Sequence, residues 1–248
     1  MKKRKIKIPK RLKLMLFKNF IHMPRLFTTM LYYNENDKIS EEKKYKFIRE
    51  LGARGCPSGN IDIHGYGFDN LPKESYIMYP NHQGLFDVLG LVAVDPDPFG
   101  VVIKKETENI YGLRHLVNIL GGLYMDRKDP KQGLKIINEV AEQVKAGRNF
   151  LIFPEGTRSK NGNVPGEFKN GSFKAAIKAK CPIVPIAIID SYLPFDQPNT
   201  HKMDVQLHAL PAIPYEEYKG MKTADIAEMV RSRIIEVIEA NKNNFNNM

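Results

Sequence analysis

The chain has 248 residues, of which 42% are apolar, 10% aromatic and 27% charged, which suits one large α/β domain or two small ones. This balance excludes wholesale disorder, collagen-like sequence and a simple coiled coil, and two cysteines are too few for a disulfide scaffold or a cysteine-rich zinc module. The net charge is +10, and residues 1–25 account for all of it because they hold ten Lys and Arg and no acidic residue. Since the rest of the chain has no basic excess, we predict no nucleic-acid partner.

The basic N-terminal arm is the first element along the chain. Its apolar run, residues 14–17, has four residues, whereas a secretory signal needs about 7–15 apolar residues and a membrane-spanning helix about 20. We therefore expect neither of these here. As a helix, residues 11–23 would place Arg11, Lys18 and His22 in a narrow polar stripe, and Pro24 predicts a break.

This basic amphipathic pattern favours a helix that lies in the interface of a membrane containing anionic lipids. We interpret residues 1–55 as an N-terminal arm and helical anchor, and residues 56–248 as the main domain. The expected location is the cytoplasmic face of the cell membrane, with peripheral (monotopic) attachment. The alternative is a solvated tail that leads into a helix packed on the body of the protein.

Helical and strand patterns alternate through the rest of the chain. Ser40 is predicted to cap a charged helix that ends near Leu51, at Gly52. Further helices are predicted over residues 132–147, 173–179 and from Thr223 onward, with Gly147 ending the first of them. The predicted strands are residues 61–64, 76–79, 101–104, 119–125, 150–153, 183–189 and 204–209. Strands that alternate with helices are typical of an α/β sheet domain.

Familiar cofactor and metal motifs are missing from the sequence. It contains no GxGxxG, GxxxxGK[ST], GxSxG or HExxH, so it predicts neither a dinucleotide or P-loop site nor a serine-hydrolase elbow or zincin helix. The six histidines are scattered without paired ligand spacing, and we predict no metal site.

A histidine and an aspartate follow the second predicted strand, in the segment Asn81-His82-Gln83-Gly84-Leu85-Phe86-Asp87. A carboxylate beside an imidazole fixes the tautomer and orientation of the ring and makes it a general base. In a regular helix, however, residues five apart lie roughly 140° apart, so this pair meets only if the turn bends His82 back over the next helix. The alternative is a surface histidine with an unrelated aspartate at a helix start.

Two other predicted strands end in an acid and an arginine. Phe153-Pro154-Glu155-Gly156-Thr157-Arg158-Ser159 follows one, and Asp126-Arg127 follows the other. The planar guanidinium of arginine matches the oxygens of a phosphate group. The two arginines therefore indicate a shared anionic ligand at one edge of the sheet, and the alternative at the first strand is a structural ion pair between Glu155 and Arg158.

Taken together, these segments resemble the glycerolipid acyltransferase family, and within it the bacterial 1-acyl-glycerol-3-phosphate acyltransferases. The family's four blocks match, in order, the His82–Asp87 segment, the strand that closes on Arg127, the 153–159 segment, and the apolar strand over 183–188 with its Pro185. The resemblance covers about residues 60–210. It implies a mixed central sheet flanked by helices and preceded by a helical amphipathic N-terminal segment.

The resemblance also implies roles for individual residues. His82 would act as the general base and Asp87 would orient it, while Glu155, Gly156, Thr157, Arg158 and Arg127 would bind the glycerol phosphate of the acceptor. Lys104, Lys105 and Asn81 are candidate contacts to the oxyanion or the acyl donor. The expected reaction transfers a fatty acyl group from acyl-CoA or acyl carrier protein to 1-acyl-glycerol 3-phosphate (lysophosphatidic acid), giving phosphatidic acid, and it needs no metal or other cofactor.

Two alternatives to this function stay open from the sequence. One is acyl transfer to another lysolipid acceptor, because the four blocks do not select the acceptor. The other is a catalytically silent protein that binds the membrane surface.

Overall fold

A mixed seven-stranded sheet organises the described part of the chain, which in this computed structural model is residues 8–242. The strands are β1 (Ile61–Tyr66), β2 (Ile77–Pro80), β3 (Phe99–Lys104), β4 (Leu123–Met125), β5 (Asn149–Leu151), β6 (Ile183–Ile189) and β7 (Met203–Ala209). Their spatial order is β1-β7-β6-β2-β5-β3-β4. Strands β2 to β6 run parallel to one another, whereas β7 is antiparallel to β6 and parallel to β1.

Helices cover both faces of this sheet, which confirms the predicted fold class. They are α1 (Lys10–Lys18), α2 (Met23–Glu35), α3 (Glu41–Ser58), α4 (Asp87–Val94), α5 (Tyr111–Ile119), α6 (Pro130–Lys145), α7 (Lys174–Ala179), α8 (Leu193–Asp196), α9 (Tyr215–Tyr218) and α10 (Thr223–Asn241). Helices α6, α7 and α10 pack in the core on one face, and α2 to α5 pack in the core on the other.

The central strand β6 shows how the two cores form. All seven of its side chains are buried, and alternate residues point to opposite faces. Ala187 and Ile189 join the core with α6 and α10, whereas Ile186 and Ile188 join the core with α3 and α4. A continuous apolar run of this kind is typical of a strand that is covered on both faces.

Several local signals have their predicted structural effect. Ser40 caps α3, because its hydroxyl accepts a hydrogen bond from the Lys43 N–H at 3.4 Å. Gly147 follows the end of α6 with φ +99°, a conformation that glycine adopts without the steric penalty of a side chain. The predicted start of this helix at residue 132 is two residues late: α6 begins at Pro130 and is capped by Asp129, whose Oδ1 accepts from the N–H groups of Lys131 and Gln132.

Other sequence predictions are wrong. Residues 119–125 were expected to form one strand, but Ile119 ends α5, and a turn at Gly121 with φ +58° separates it from β4. The helix that begins after Ser40 does not end at Gly52; it continues to Ser58, and that glycine is buried where α3 packs against Ala93 of α4. Thr223 opens α10 without capping it.

The N-terminal helices differ from the predicted single amphipathic helix. Helix α1 ends at Lys18, a short 3-10 turn covers Phe20–His22, and Pro24 lies in the first turn of α2. Residue 55, the predicted end of the arm, lies inside α3, so that division does not coincide with a break in secondary structure. The basic residues Lys2, Lys3, Arg4 and Lys5 of the predicted arm lie outside the described residues.

Arg11 is the main correction to the predicted polar stripe, because it is fully buried. Its guanidinium donates hydrogen bonds only to backbone carbonyl oxygens among the described residues, those of Gly59, Asn60, Pro194, Asn199 and His201. Met15, one turn further along α1, is also buried, against Gly55 and Gly59. This face of α1 therefore packs on the body, as the alternative interpretation expected.

The exposed side of α1 and the turn that follows it carry large apolar side chains beside the exposed lysines of α1. Phe17 is 76% exposed, Phe20 65% and Ile21 76%. We call these three residues the N-terminal apolar patch. Within residues 8–242, no helix combines the length and the apolar character needed to cross a membrane.

Asp95, at the end of α4, gives the fold a measurable pH dependence. Its side chain is buried, Oδ1 accepts from the Asp97 N–H, and Oδ2 has no partner among the described residues. Loss of solvation raises the pKa of Asp95 from its ordinary value of 3.8 to about 7. Folded protein thus keeps a proton that the unfolded chain releases, so its stability falls as the pH rises from about 4 to about 7.

We expect Asp95→Asn to raise the melting temperature relative to the unsubstituted chain, and to raise it more at pH 8 than at pH 5. Each kcal/mol of destabilisation that the substitution removes raises the melting temperature by about 2–4 °C for a chain of this size. Thermal unfolding at a series of pH values measures the effect, with Asp69→Asn, at an exposed site, as the control. If the difference in melting temperature between Asp95→Asn and the unsubstituted chain did not vary with pH, the raised pKa of Asp95 would be contradicted.

Candidate active site

The predicted site residues follow strands that share one edge of the sheet. Since β2 to β6 are parallel, their carboxyl ends lie side by side in the order β6, β2, β5, β3 and β4. His82 follows β2, the segment 155–158 follows β5, Lys104 ends β3, and Arg127 comes after β4. In open α/β sheets this edge is where ligands bind.

His82 and Asp87 meet at this edge. The imidazole Nδ1 of His82 lies 2.7 Å from Oδ2 of Asp87. Residues 81–84 have no regular structure and α4 begins only at Asp87, so the angular offset of a regular helix does not separate the two side chains. The alternative of an unrelated surface histidine is excluded, because His82 is largely buried and Asp87 is fully buried.

Several donors surround the Asp87 carboxylate. Besides His82, the N–H groups of Gln83 and Gly84 donate to it at 2.7 and 3.0 Å, and the Ser191 hydroxyl donates at 2.6 Å. A carboxylate only accepts hydrogen bonds, so in the neutral imidazole of His82 this contact favours the tautomer with Nδ1 as the donor and Nε2 as the unprotonated nitrogen. This is the tautomer that a general base requires.

Glu155 holds the backbone of the same histidine. Its Oε1 accepts from the His82 N–H at 2.8 Å and its Oε2 accepts from the Gly166 N–H at 3.0 Å. The side chain is buried, and loss of solvation raises the pKa of Glu155. A Cβ at Gly166 would lie 2.7 Å from Oε2, so that position has no room for a larger residue. Glu155 is thus placed to support His82, and not as the phosphate contact that the sequence predicted.

The ion pair proposed as the alternative for this segment is absent. Within residues 8–242, the Glu155 carboxylate forms no ion pair with Arg158, and both of its oxygens are occupied by backbone donors. Thr157 and Arg158 are exposed beyond the strand end. Gly156 has φ +66° and open space where a Cβ would stand, with Lys169 the nearest group at 3.9 Å.

Two more contacts position His82. The ring of Phe153 lies against the imidazole, with 4.1 Å between centroids. The backbone oxygen of His82 accepts from the Ser159 N–H at 2.7 Å. The segment 153–159 therefore supports the histidine through a ring and an N–H group, in addition to the Glu155 carboxylate.

Asn81 is predicted to contact the oxyanion, but its side chain instead connects two strands. Its side-chain amide is buried, accepting from the Ile188 N–H at 2.7 Å and donating to the Ile188 oxygen at 2.9 Å. The amide thus joins the end of β2 to β6. Lys104 is exposed and paired with Glu106 at 3.1 Å, and Lys105 is exposed.

Residues that directly follow β6 also belong to the site, and the sequence motifs did not indicate them. Besides Ser191, Asp190 adopts φ +62° and its carboxylate accepts from Asn163 at 2.8 Å. Gln83 accepts from the Ser191 N–H and donates to Asn163. The available signal was an acid and a hydroxyl directly after the most apolar strand, at the edge where the other site residues lie.

Among the described residues, no cluster of three or more His, Cys, Asp or Glu side chains could hold a metal ion. The arrangement instead offers one oriented base, with an exposed threonine and arginine on the neighbouring strand end. These groups can remove a proton from a hydroxyl and bind an anion beside it.

The chain is similar to proteins described as acyltransferases. A family model described as Acyltransferase matches residues 62–189. The 1-acyl-sn-glycerol-3-phosphate acyltransferase of Saccharomyces cerevisiae is 29% identical over 72% of this chain, and the alpha form from Ovis aries is 30% identical over 67%. The matches span 60% and 58% of those two relatives' own lengths.

A solved structure has the same fold. The crystal structure of the 1-acyl-sn-glycerophosphate (LPA) acyltransferase PlsC from Thermotoga maritima superposes with a TM-score of 0.73. The match covers 92% of this chain and 96% of that one, at 23% sequence identity.

Glu155→Gln tests the placement of that side chain. An amide has only one oxygen acceptor, so one of the two backbone N–H groups loses its partner. We expect the turnover number to fall at least about tenfold, with little change in the KM for a phosphate-bearing acceptor. Glu167→Gln, an exposed neighbour, is the control. A raised acceptor KM with unchanged turnover would instead support direct phosphate binding by Glu155.

Proposed function

The chain belongs to the acyltransferase family, and from this premise we propose that it transfers a fatty acyl group from an acyl thioester to the free hydroxyl of 1-acyl-glycerol 3-phosphate. The product is phosphatidic acid, a precursor for phospholipid synthesis. One observation carries the proposal: His82 Nδ1 lies 2.7 Å from the buried Asp87 carboxylate, which leaves Nε2 free to accept a proton. The names of the similar proteins support the choice of acceptor.

In the proposed reaction, Nε2 of His82 takes the proton of the acceptor hydroxyl as its oxygen attacks the thioester carbonyl carbon. A C–O bond forms, and the carbonyl oxygen becomes an oxyanion. When the intermediate collapses, the C–S bond breaks and the departing sulfur takes the proton back from the imidazolium, which gives a free thiol and a new ester. The Asp87 carboxylate stabilises the transient imidazolium. Atoms and protons balance without a covalent acyl-enzyme, metal or cofactor.

Acceptor recognition needs a cation beside the base. Arg158 is exposed at the neighbouring strand end and has no ion pair among the described residues, so its guanidinium is available for a phosphate. Gly156 and Thr157 offer open space and a hydroxyl donor beside it. We assign these three residues to the glycerol phosphate, with Arg127 as a second cation at the same edge.

Most candidate donors for the oxyanion already have a partner within the protein. The Asn81 amide is bound to Ile188, the Gly156 N–H donates to Phe153, and Lys104 is paired with Glu106. Lys105 stays a prediction for this role. Acyl-CoA and acyl carrier protein both remain donors of the proposed reaction, and release of free thiol from each, with lysophosphatidic acid as acceptor, distinguishes them.

The acceptor's acyl chain lies in a bilayer, so the site must be held at a membrane surface. We propose peripheral docking on the cytoplasmic face through the N-terminal apolar patch. Burying aromatic and aliphatic side chains in the interface supplies an apolar contribution, and nearby cations favour anionic lipids.

His82→Ala tests the proposed chemistry. Removing a positioned general base lowers turnover by roughly 10²–10⁴, and Asp87→Asn is expected to be strongly impaired because it favours the wrong tautomer. Thiol release is measured with lysophosphatidic acid, and His201→Ala, at an exposed site, is the matched control. Near-normal turnover by folded His82→Ala protein would refute the mechanism.

Arg158→Gln tests acceptor recognition. Loss of a charge-assisted contact of about 1.5–3 kcal/mol is expected to raise the KM for lysophosphatidic acid by roughly tenfold to a hundredfold. The KM for the acyl donor should change little, and Lys160→Gln is the control for loss of a nearby exposed charge. If the KM for an acceptor that lacks phosphate rose by the same factor, Arg158 would have a structural role instead.

A further inference from the structure

A groove of about 530 Å³ lies between α2 and α3, on the face of the sheet opposite α6 and α10. Each helix presents residues that are three or four positions apart, so the groove is formed by one continuous stripe from each. Helix α2 contributes Arg25, Thr29 and Tyr33, and α3 contributes Lys43, Lys46, Glu50 and Arg54.

The walls of this groove are strongly basic. Arg25, Lys43, Lys46 and Arg54 are exposed, and among the described residues that line the groove Glu50 is the only acidic one. Within residues 8–242, none of the four cations has a carboxylate oxygen within 4.0 Å. The fold therefore does not use these charges for internal ion pairs, and bringing them together has an electrostatic cost that a bound anion would offset.

The interior of the groove is apolar. Phe47 is buried, and its ring packs edge-on against Tyr33, with 5.3 Å between centroids. Leu26 lines the same space. A cationic rim over aromatic and aliphatic groups suits a ligand that combines a phosphate with hydrocarbon, rather than a free inorganic anion.

The position of the groove beside the N-terminal apolar patch favours a membrane lipid as the source of that phosphate. His22, which lines the groove, directly follows Phe20 and Ile21 of the N-terminal apolar patch. If the patch enters the acyl layer of a membrane, the groove beside it lies at the depth of the lipid headgroups. None of the groove residues belongs to the segments 81–87 and 153–159, which carry His82, Asp87 and Glu155.

We propose that the groove between α2 and α3 binds the phosphate headgroup of an anionic membrane phospholipid, as a site separate from the one that binds the acyl acceptor. The inference rests on the proposed membrane docking but not on the proposed acyl transfer. Such a site would select anionic membranes, whereas the apolar patch alone would bind any bilayer.

The first experiment compares two double variants. Lys43→Gln/Lys46→Gln removes two charges from the groove, and Lys135→Gln/Lys222→Gln removes two exposed charges on the far side of the sheet. Binding is measured to vesicles of phosphatidylcholine alone and to vesicles that also contain phosphatidylglycerol. The groove variant should bind the mixed vesicles about tenfold to thirtyfold more weakly than the unsubstituted chain. The affinity of the control variant for the same vesicles should fall by less than about twofold.

A second measurement reports on the groove itself. The chain has no tryptophan, so Tyr33→Trp introduces a single fluorescent probe beside Phe47. Its emission should shift with phosphatidylglycerol vesicles and stay unchanged with soluble glycerol 3-phosphate at the same phosphate concentration.

Three results would overturn the proposal: equal losses by the two double variants, a probe that does not respond to phosphatidylglycerol vesicles, or a probe that responds equally to soluble glycerol 3-phosphate. Failure of the unsubstituted chain to bind either vesicle would overturn both the groove and the docking proposal. Acyl transfer by the unsubstituted chain to a dispersed short-chain acceptor is recorded separately, so an absent activity is distinguished from absent headgroup binding.

Discussion

The Asp87 carboxylate is buried completely, and the need to surround it with donors determines the geometry of the site. An ionised carboxylate in a protein interior costs several kcal/mol unless hydrogen-bond donors replace its water. Here the donors are backbone N–H groups of Gln83 and Gly84, the Ser191 hydroxyl and the His82 imidazole. They come from the ends of β2 and β6, so satisfying one charge brings two strand ends together. A Cβ at Gly84 would lie 2.9 Å from the Ser191 oxygen, which explains why this approach requires glycine.

A second buried charge connects the N-terminal helices to this site. Arg11 has no carboxylate partner among its described contacts, and its guanidinium binds backbone carbonyls from two separate segments, residues 59–60 and 194–201. One of these carbonyls belongs to Pro194, three residues after Ser191. Helix α1 is therefore attached to α8, which follows the loop that carries Ser191, while its opposite face exposes Phe17. Because α1 and the turn that follows it carry the N-terminal apolar patch, the proposed membrane docking would orient the sheet edge that carries His82 as well as concentrate the protein at the surface.

Much of the fold could be predicted from the sequence where a local pattern determines structure. The continuous apolar run at β6 has its predicted bounds, because burial on both faces leaves a signal in every residue. Contacts between distant segments left no such signal. The sequence places Arg11 in the polar stripe of an amphipathic helix, because helical spacing cannot show that carbonyls of residues 59–60 and 194–201 surround it. The motif containing Glu155 was recognised, yet its acid was assigned to the ligand, since the sequence does not reveal which backbone N–H groups it faces.

The central claim is that Asp87 holds His82 in the tautomer whose Nε2 is free to accept a proton. Nitrogen-15 NMR of the histidine side chains, with His82 identified by its absence in His82→Ala protein, tests this most directly. For the neutral imidazole we expect a protonated Nδ1 and an unprotonated Nε2, and we expect this preference to be lost in Asp87→Asn protein. A neutral His82 that carries its proton on Nε2 in the unsubstituted chain would contradict the account.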